Sequence, residues 1–531
     1  MESQRTYAAA EALAEQRAMS AVQDRTVASL SNVTGRVRHL WVMVSCLLVL
    51  AIAVPWQTRW GTIPDTSWII TMCERVLAGD RLYVDLIETN PPFTIWLYLP
   101  AVYLANILGV APEYVVHGYS YAICIFGLGF AGFVAHRAQF PGNSELSAFL
   151  PMFLALLVVF PGNSFSEREN LGIAMFLPLL VLDAWRASED RRSEPDWWLA
   201  AAAGLSGSIM VLVKPYYALM VVAPALYVAW RRGSIRHLFA IEYWVAGIAC
   251  LTYLTAVFCL YPEFIRDLYP KLADTYLRYK WYVPTILTYG GAYLVSLCFL
   301  MRLQTGRALP PLVMVPAVAS AAALVPLIYQ GKGWPYHAYP AVVLLLGSIL
   351  CSVATRPPGM TRMSLAQKIL LGAVIASNWL PFATTQKPGS DFVATIRAAV
   401  DHPTVGLIGS GVQIGHPLTR MLDGRWISAY CSDWFGSFAS AFAQSERARG
   451  DAVDAARHEA LERSYLNAKI KNFETKKPDL ILIQKADTFW IAQVMKRGDF
   501  ANFMKDYQLL TEDQSVGVYI RSGSRKLGAS G

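Results

Sequence analysis

Between Ile63 and Pro92 the chain gathers carboxylates that its apolar surroundings do not call for. They lie in Ile63-Pro-Asp65-Thr-Ser-Trp and in Leu77-Ala-Gly79-Asp80-Arg-Leu-Tyr83-Val-Asp85-Leu-Ile-Glu88-Thr-Asn90-Pro91-Pro92. Because they follow the first apolar run directly, they are placed at a membrane surface, where they would meet a lipid-borne substrate. The bland alternative for Asp65 is an N-cap on a helix running from Trp68 to Val76. A second group is Ser164-Phe-Ser166-Glu167-Arg168-Glu169-Asn170, three ionisable residues in a row between apolar helices. Such residues are costly unless they pair or face a polar cavity, although a solvated turn capping the next helix would also explain them. A third group comprises Lys214-Pro-Tyr216-Tyr217 and Gln330-Gly-Lys332-Gly-Trp334-Pro-Tyr336-His337. The glycines beside Lys332 would let backbone N–H groups approach a phosphate, and Tyr336 and His337 can donate hydrogen bonds. Interfacial anchoring by Trp, Tyr and Lys is the competing explanation. What favours an anion site is that Lys214, Lys332 and Arg168 all fall on the same expected side as Asp65.

The elements that must position these residues are membrane spans. The 531-residue chain is 55% hydrophobic and only 16% charged, with mean hydropathy +0.35, more apolar than a soluble domain. Apolar runs such as Leu40 to Trp56 and Trp244 to Tyr261 are long enough to cross a hydrocarbon core of about 30 Å. The net charge of +8 comes from Arg and Lys clustered in short loops, which reads as membrane orientation and not nucleic-acid binding. These clusters include Arg36 and Arg38, Arg186 with Arg191 and Arg192, Arg231 with Arg232, Arg302 with Arg307, and Arg356 with Arg362. Placing them all in the cytoplasm predicts about eleven crossings, near 39–57, 114–135, 147–161, 171–186, 197–213, 215–230, 239–261, 284–301, 308–329, 338–355 and 366–384. Residues 1–38 become a cytoplasmic tail leading into an uncleaved anchor, and 58–113 a large first outer loop. Phe93 to Val110 is apolar enough to cross, but counting it would invert every later basic loop. It is therefore expected to lie at the interface, as Pro91, Pro92 and Pro100 and its aromatic residues also suggest.

After Pro381 the composition changes, and residues 385–531 read as an extracytoplasmic α/β domain. The pattern predicts a helix near 391–401, a strand Thr404–Ile408, and a helical stretch from 435 to 472. A strand Asp479–Ile483, a helix near 487–498 and a terminal strand pair near 507–521 follow. Gly409-Ser-Gly411-Val-Gln-Ile-Gly415 follows the first strand but misses dinucleotide-binding spacing, and reads as a tight turn. Six of the eight cysteines fall in apolar segments with no metal spacing, while Cys73 and Cys431 fall in outer regions where pairing would be possible.

Asp65, the Gly79-to-Tyr83 spacing and Asn90-Pro91-Pro92 together resemble the GT-C superfamily of integral-membrane glycosyltransferases, within it the protein O-mannosyltransferases and bacterial aminoarabinose transferases. In that superfamily an Asp soon after the first span is followed by a G-x-x-x-Y element and a Pro-Pro or Lys-Pro element. The resemblance covers about the first 385 residues and implies a polytopic α-helical protein acting at the outer face of a bacterial inner membrane. It implies an inverting transfer of sugar from a polyprenyl-phosphate donor to a glycan, lipid or protein acceptor, with Asp65 as general base. Glu167 or Glu169 would orient the acceptor or help hold the phosphate, and Asp85, Asn90, Arg168, Lys214, Lys332, Tyr336 and His337 would contact substrate. Asn90 departs from the pattern, since many relatives carry Lys or His before the proline. Asp80, Asp85 and Glu88 could suggest a metal site, and some members of the superfamily use a divalent ion, but the transferases that take sugars from polyprenyl monophosphates resemble metal-independent enzymes and the loop holds no compact D-x-D motif, so no cofactor is expected. A polysaccharide polymerase or ligase, a lipid-linked glycan transporter, or a non-catalytic scaffold would share the many spans. A transporter should show internal repeats and mid-membrane charges, and a ligase outer loops rich in Arg and His.

Overall fold

The computed structural model describes residues 37–140, 143–189, 194–304, 309–356, 363–384 and 387–526. Residues 1–36, with Arg36, and the basic residues Arg191, Arg192, Arg307 and Arg362 lie outside these. Among the described residues eight helices are long and apolar enough to cross a membrane: α1 (Val37–Trp60), α4 (Pro112–Ala138), α7 (Arg168–Ala187), α10 (Ile241–Leu260), α12 (Tyr282–Leu303), α13 (Pro311–Gln330), α14 (Pro335–Ala354) and α15 (Leu365–Trp379, extended by a turn to Phe382). Shorter apolar helices accompany them: α3 (Phe93–Leu108), α8 (Trp197–Val213) and α9 (Ala218–Arg231), with a segment broken into α5 (Asn143–Ala148) and α6 (Leu150–Val158). The chain is a multi-pass integral membrane protein. Each of the eleven expected spans coincides with one of these helical segments, the α5–α6 break falling in the third.

Burial grades across the bundle as lipid exposure requires. Most of α7 and α14 is enclosed, whereas α1 and α10 turn Leu40, Leu47, Leu48, Leu251 and Phe258 outward. Small residues let helices meet at backbone distance: a Cβ on Gly127 of α4 would stand 2.1 Å from the Ala174 carbonyl oxygen of α7. Helix α2 (Pro64–Leu77) and α3 lie in the segment between α1 and α4 that was expected as the first outer loop. α3 is tied to the ends of two spans, its Tyr98 hydroxyl donating to the Ser166 carbonyl just before α7 and its Trp96 indole to the Tyr261 hydroxyl just after α10.

Beyond the bundle, α16 (Ser390–Ala399), α17 (Val412–Gly415), α18 (Leu418–Met421), α19 (Trp434–Ala448), α20 (Ala452–Lys476), α21 (Thr488–Met495) and α22 (Gly498–Phe503) accompany a five-stranded mixed sheet. Its strands are β1 (Thr404–Ile408), β2 (Arg425–Trp426), β3 (Leu480–Gln484), β4 (Tyr507–Glu512) and β5 (Val516–Arg521), in the order β2-β1-β3-β5-β4. β2, β1 and β3 run parallel and β5 and β4 antiparallel. The expected strands are present; the single helical stretch is instead two helices, because the Arg449-Gly450-Asp451 turn interrupts it with Gly450 in the left-handed region. The domain and the first outer loop share one apolar core, in which Trp68, Ile69 and Tyr98 join Trp426, Leu482 and Val518. Polar ties reinforce it. The Arg420 guanidinium pairs with Glu74 of α2 and Glu113 of α4, and the Ile87 N–H donates to the Ala429 carbonyl at 2.8 Å. All eight cysteines are free thiols, including Cys73 and Cys431.

Candidate functional site

A cavity of about 290 Å³ lies where the first outer loop, the start of α7, the start of α14 and the C-terminal domain meet. Asp65, Glu88, Asn90, Arg168 and Tyr336 all line it. Asp65 sits in the first turn of α2, behind the helix-compatible Pro64, and the N-cap is Ile63, so the carboxylate does not cap the helix. It makes no side-chain hydrogen bond and no ion pair among the described residues, and it is only partly buried. Glu88 by contrast is buried and organised: the Trp68 indole donates to it at 3.3 Å and the Asn90 amide at 2.6 Å.

Arg168 supplies positive charge to this cavity. It is 4% exposed, with Glu88 at 3.9 Å and Glu167 at 3.8 Å, too long for hydrogen bonds, and its Nε has no partner among the described residues. A buried guanidinium held by charge alone, with donors left over, suits an anion that would accept from it. Glu167 lies one residue earlier, accepting from the Thr66 hydroxyl at 2.8 Å. Complete burial pushes its carboxyl up to about 8 against the pull of Arg168, and Asp65 adds to the rise. A second layer stands behind Tyr336. The Lys214 ammonium donates to Glu169 at 2.5 Å, lies 3.1 Å from His337 Nε2 and faces the Tyr336 ring at 5.3 Å. Lys214, Glu169 and His337 do not line the cavity, and of the residues Lys214 touches Tyr336 does.

Two expected contacts sit elsewhere. Asp85 is pinned by the Arg81 backbone N–H at 2.9 Å and by the Arg81 side chain at 3.1 Å, which holds the 81–86 turn outside the cavity. Lys332 does not line the cavity, and its ammonium donates to the Tyr276 and Tyr279 carbonyls at 2.6 and 2.8 Å while lying 4.1 Å above the Tyr276 ring. It fastens the loop after α11 (Tyr269–Asp274) in place.

The C-terminal domain roofs the cavity with Ser410, Gly411, Gln413, Cys431, Ser432 and Trp434. These residues were not expected at the site from the sequence, although the Gly409-to-Gly415 loop leaves the carboxyl end of parallel strand β1, where α/β sheets form their crevices. Three of its N–H groups are already taken, Gly409 by Asp433, Ser410 by Asp487 and Gly411 by Gln484. Asp433 also accepts from Tyr465 at 2.6 Å, Lys469 at 2.7 Å and Trp490 at 2.8 Å, and this fixes the roof. Among the described residues no group of three His, Cys, Asp or Glu is arranged to hold a metal ion.

No protein-family model and no curated protein matches the sequence. Among solved structures the chain is similar to ArnT from Cupriavidus metallidurans bound to undecaprenyl phosphate, with TM-score 0.51 and 13% identity over 89% of this chain and 97% of that one. The apo form of the same protein gives 0.51 and 12% over the same shares. AglB from Archaeoglobus fulgidus, an archaeal oligosaccharyltransferase solved with an inhibitory peptide and a dolichol-phosphate, aligns at TM-score 0.43 and 11% identity over 91% of this chain and 74% of that one. By its likeness to ArnT the chain has a GT-C-like fold, a helical bundle with a C-terminal mixed-sheet region.

Proposed function

We propose that the protein transfers a sugar from a polyprenyl-phosphate donor to an acceptor hydroxyl at the extracytoplasmic face of a bacterial inner membrane, inverting the anomeric carbon. The observation that carries this reading is the pairing, in one cavity, of a carboxylate, Asp65, and a buried guanidinium with an unused donor, Arg168, the first with no hydrogen-bond or ion-pair partner and the second with no Nε partner among the described residues. The acceptor oxygen attacks the anomeric carbon as the bond from that carbon to the phosphate oxygen breaks. Asp65 takes the hydroxyl proton, and polyprenyl phosphate leaves with the bonding electrons, its charge met by Arg168. Glu167, protonated below about pH 8, keeps a second negative charge away from the departing phosphate. Glu169, Lys214 and His337 hold Tyr336 and the start of α7 in register. The likeness to a structure bound to undecaprenyl phosphate supports the donor class.

The test is to incubate purified protein with a panel of polyprenyl-phosphate sugars and a membrane glycolipid extract, following free polyprenyl phosphate by mass spectrometry. Acceptor-dependent release from one donor is the expected result. No release from any donor across a broad panel would contradict the assignment and favour a transporter or scaffold.

A further inference from the structure

The cavity has two chemically different walls. One carries Asp65, Glu88 and Arg168; the other is aromatic, built from Tyr276, Trp334, Trp434 and Phe438. The aromatic rings form a connected surface: Tyr276 lies 5.2 Å from Trp434 and 6.4 Å from Trp334, and Trp434 lies 6.4 Å from Phe438. The surface is held rigidly, since Lys332 fastens the Tyr276 loop and Asp433 fastens the segment leading into Trp434. Trp334 remains 37% exposed at the cavity mouth. Above the rings the roof presents the Gln413 amide and the Ser410 hydroxyl, neither of which makes a side-chain hydrogen bond among the described residues.

Flat apolar rings beside uncommitted amide and hydroxyl groups match a pyranose, whose C–H face is apolar and whose rim is a ring of hydroxyls. A lipid chain would leave the amide and hydroxyl unpaired, at a cost, whereas a sugar rim pairs both. Two sugars could lie here, the one carried by the donor and the one that accepts. Trp434, Phe438 and Gln413 belong to the C-terminal domain, whereas Arg168 begins α7 in the helical bundle. If Arg168 takes the phosphate, the lining that the C-terminal domain supplies is left for the other reactant.

Resting on the transfer reading above, we propose that the acceptor is itself a glycan, whose terminal pyranose stacks on the Trp434–Tyr276–Trp334 wall and hydrogen-bonds Gln413, so that the C-terminal domain selects the acceptor. The experiment measures quenching of tryptophan fluorescence in the full-length protein in nanodiscs on titration with trisaccharides of glucose, mannose and N-acetylglucosamine, with a tripeptide and an acyl-phosphate as controls. Binding is read without turnover, so it stands or falls separately from sugar transfer. At least one trisaccharide should bind, with Kd raised about tenfold by Trp334→Ala, as expected for loss of one stacked ring, and likewise by Gln413→Ala. Trp334, being exposed, can be replaced without unfolding the protein, which the thermal unfolding midpoint of the variant checks. Saturation by the peptide or acyl-phosphate alone, no binding by any trisaccharide, or binding unaffected by both wall variants would overturn the proposal. So would a loss confined to affinity for polyprenyl-phosphate sugar, which would assign the wall to the donor.

Discussion

Glu167 is fully buried beside Arg168 and within the field of Asp65, and that arrangement makes it a residue with a pH signature. Burial raises its carboxyl from the ordinary range to about 8, so the folded protein binds this proton more tightly than the unfolded chain does. Its contribution to stability is complete below the unfolded value and is lost as pH rises through about 8. The ionised form also places negative charge near a leaving phosphate. We therefore expect transfer by the wild type to decline above about pH 8 and transfer by Glu167→Gln to stay level there, with similar rates at pH 6.5. A Gln variant that keeps the alkaline decline would remove Glu167 from this role. Arg168 drew notice in the sequence because ionisable residues between apolar helices need a partner or a polar cavity, Asp65 through the likeness of its surroundings to GT-C sequences, and Tyr336 as a hydrogen-bond donor at a span end. Glu88 and Asp85 show where that legibility ends. They are three residues apart in one loop, and only the Arg81 turn that captures Asp85, with the Trp68 indole that captures Glu88, decides which of them faces the cavity. Lys332 was legible as a buried cation between glycines, but not its partners, which are carbonyls from a loop more than fifty residues away.

Helices position the site by meeting closely, and two contacts make this measurable. Gly127 lets α4 rest on the α7 backbone, and α7 begins with Arg168. A side chain at 127 has no space, so Gly127→Val must part the two helices, at a cost of about 1–3 kcal/mol, and shift the Arg168 end. A lowered midpoint of thermal unfolding in detergent is expected, and an unchanged midpoint would mean that α4 and α7 do not pack this way. The second contact joins α2 to the C-terminal domain. His416 is fully buried, with its ring 5.3 Å from Trp68 and 4.6 Å from Trp426 and neither nitrogen hydrogen-bonded. Burial, helped by the Arg420 charge, pushes its pKa down to about 3. The unfolded chain then binds the extra proton more readily, and the stability gained from a neutral ring is lost as pH falls from 6.5 toward 3. His416→Phe keeps the ring and removes the titration. It should unfold at a higher temperature than wild type at pH 5 and at the same temperature at pH 8, whereas equal midpoints at both would show that the ring is not held neutral. Helix and strand positions were readable from periodicity, β1 to the residue, because each buries a continuous apolar run. The two-residue β2 was not, since a strand that short carries no period.

At the scale of the whole molecule, the fold brings the segment between α1 and α4 and the C-terminal domain, about 270 residues apart in sequence, onto one apolar core with the cavity between them. No local pattern announces this, which is why the roof residues Gln413 and Trp434 went unrecognised while the membrane-side residues did not. An odd number of crossings would place the two chain ends on opposite faces of the membrane. Alkaline phosphatase fused at the C-terminus should be active in intact cells and inactive at the N-terminus; activity at both ends or neither would remove the extracytoplasmic assignment of the cavity. The central claim is that Asp65, free of any structural partner, takes the acceptor proton. The decisive measurement compares polyprenyl phosphate release by wild type and Asp65→Asn under saturating donor, together with thermal unfolding of both. Loss of release by about 100-fold or more with an unchanged unfolding midpoint is the predicted result. A folded Asp65→Asn protein that still releases polyprenyl phosphate at the wild-type rate would contradict it.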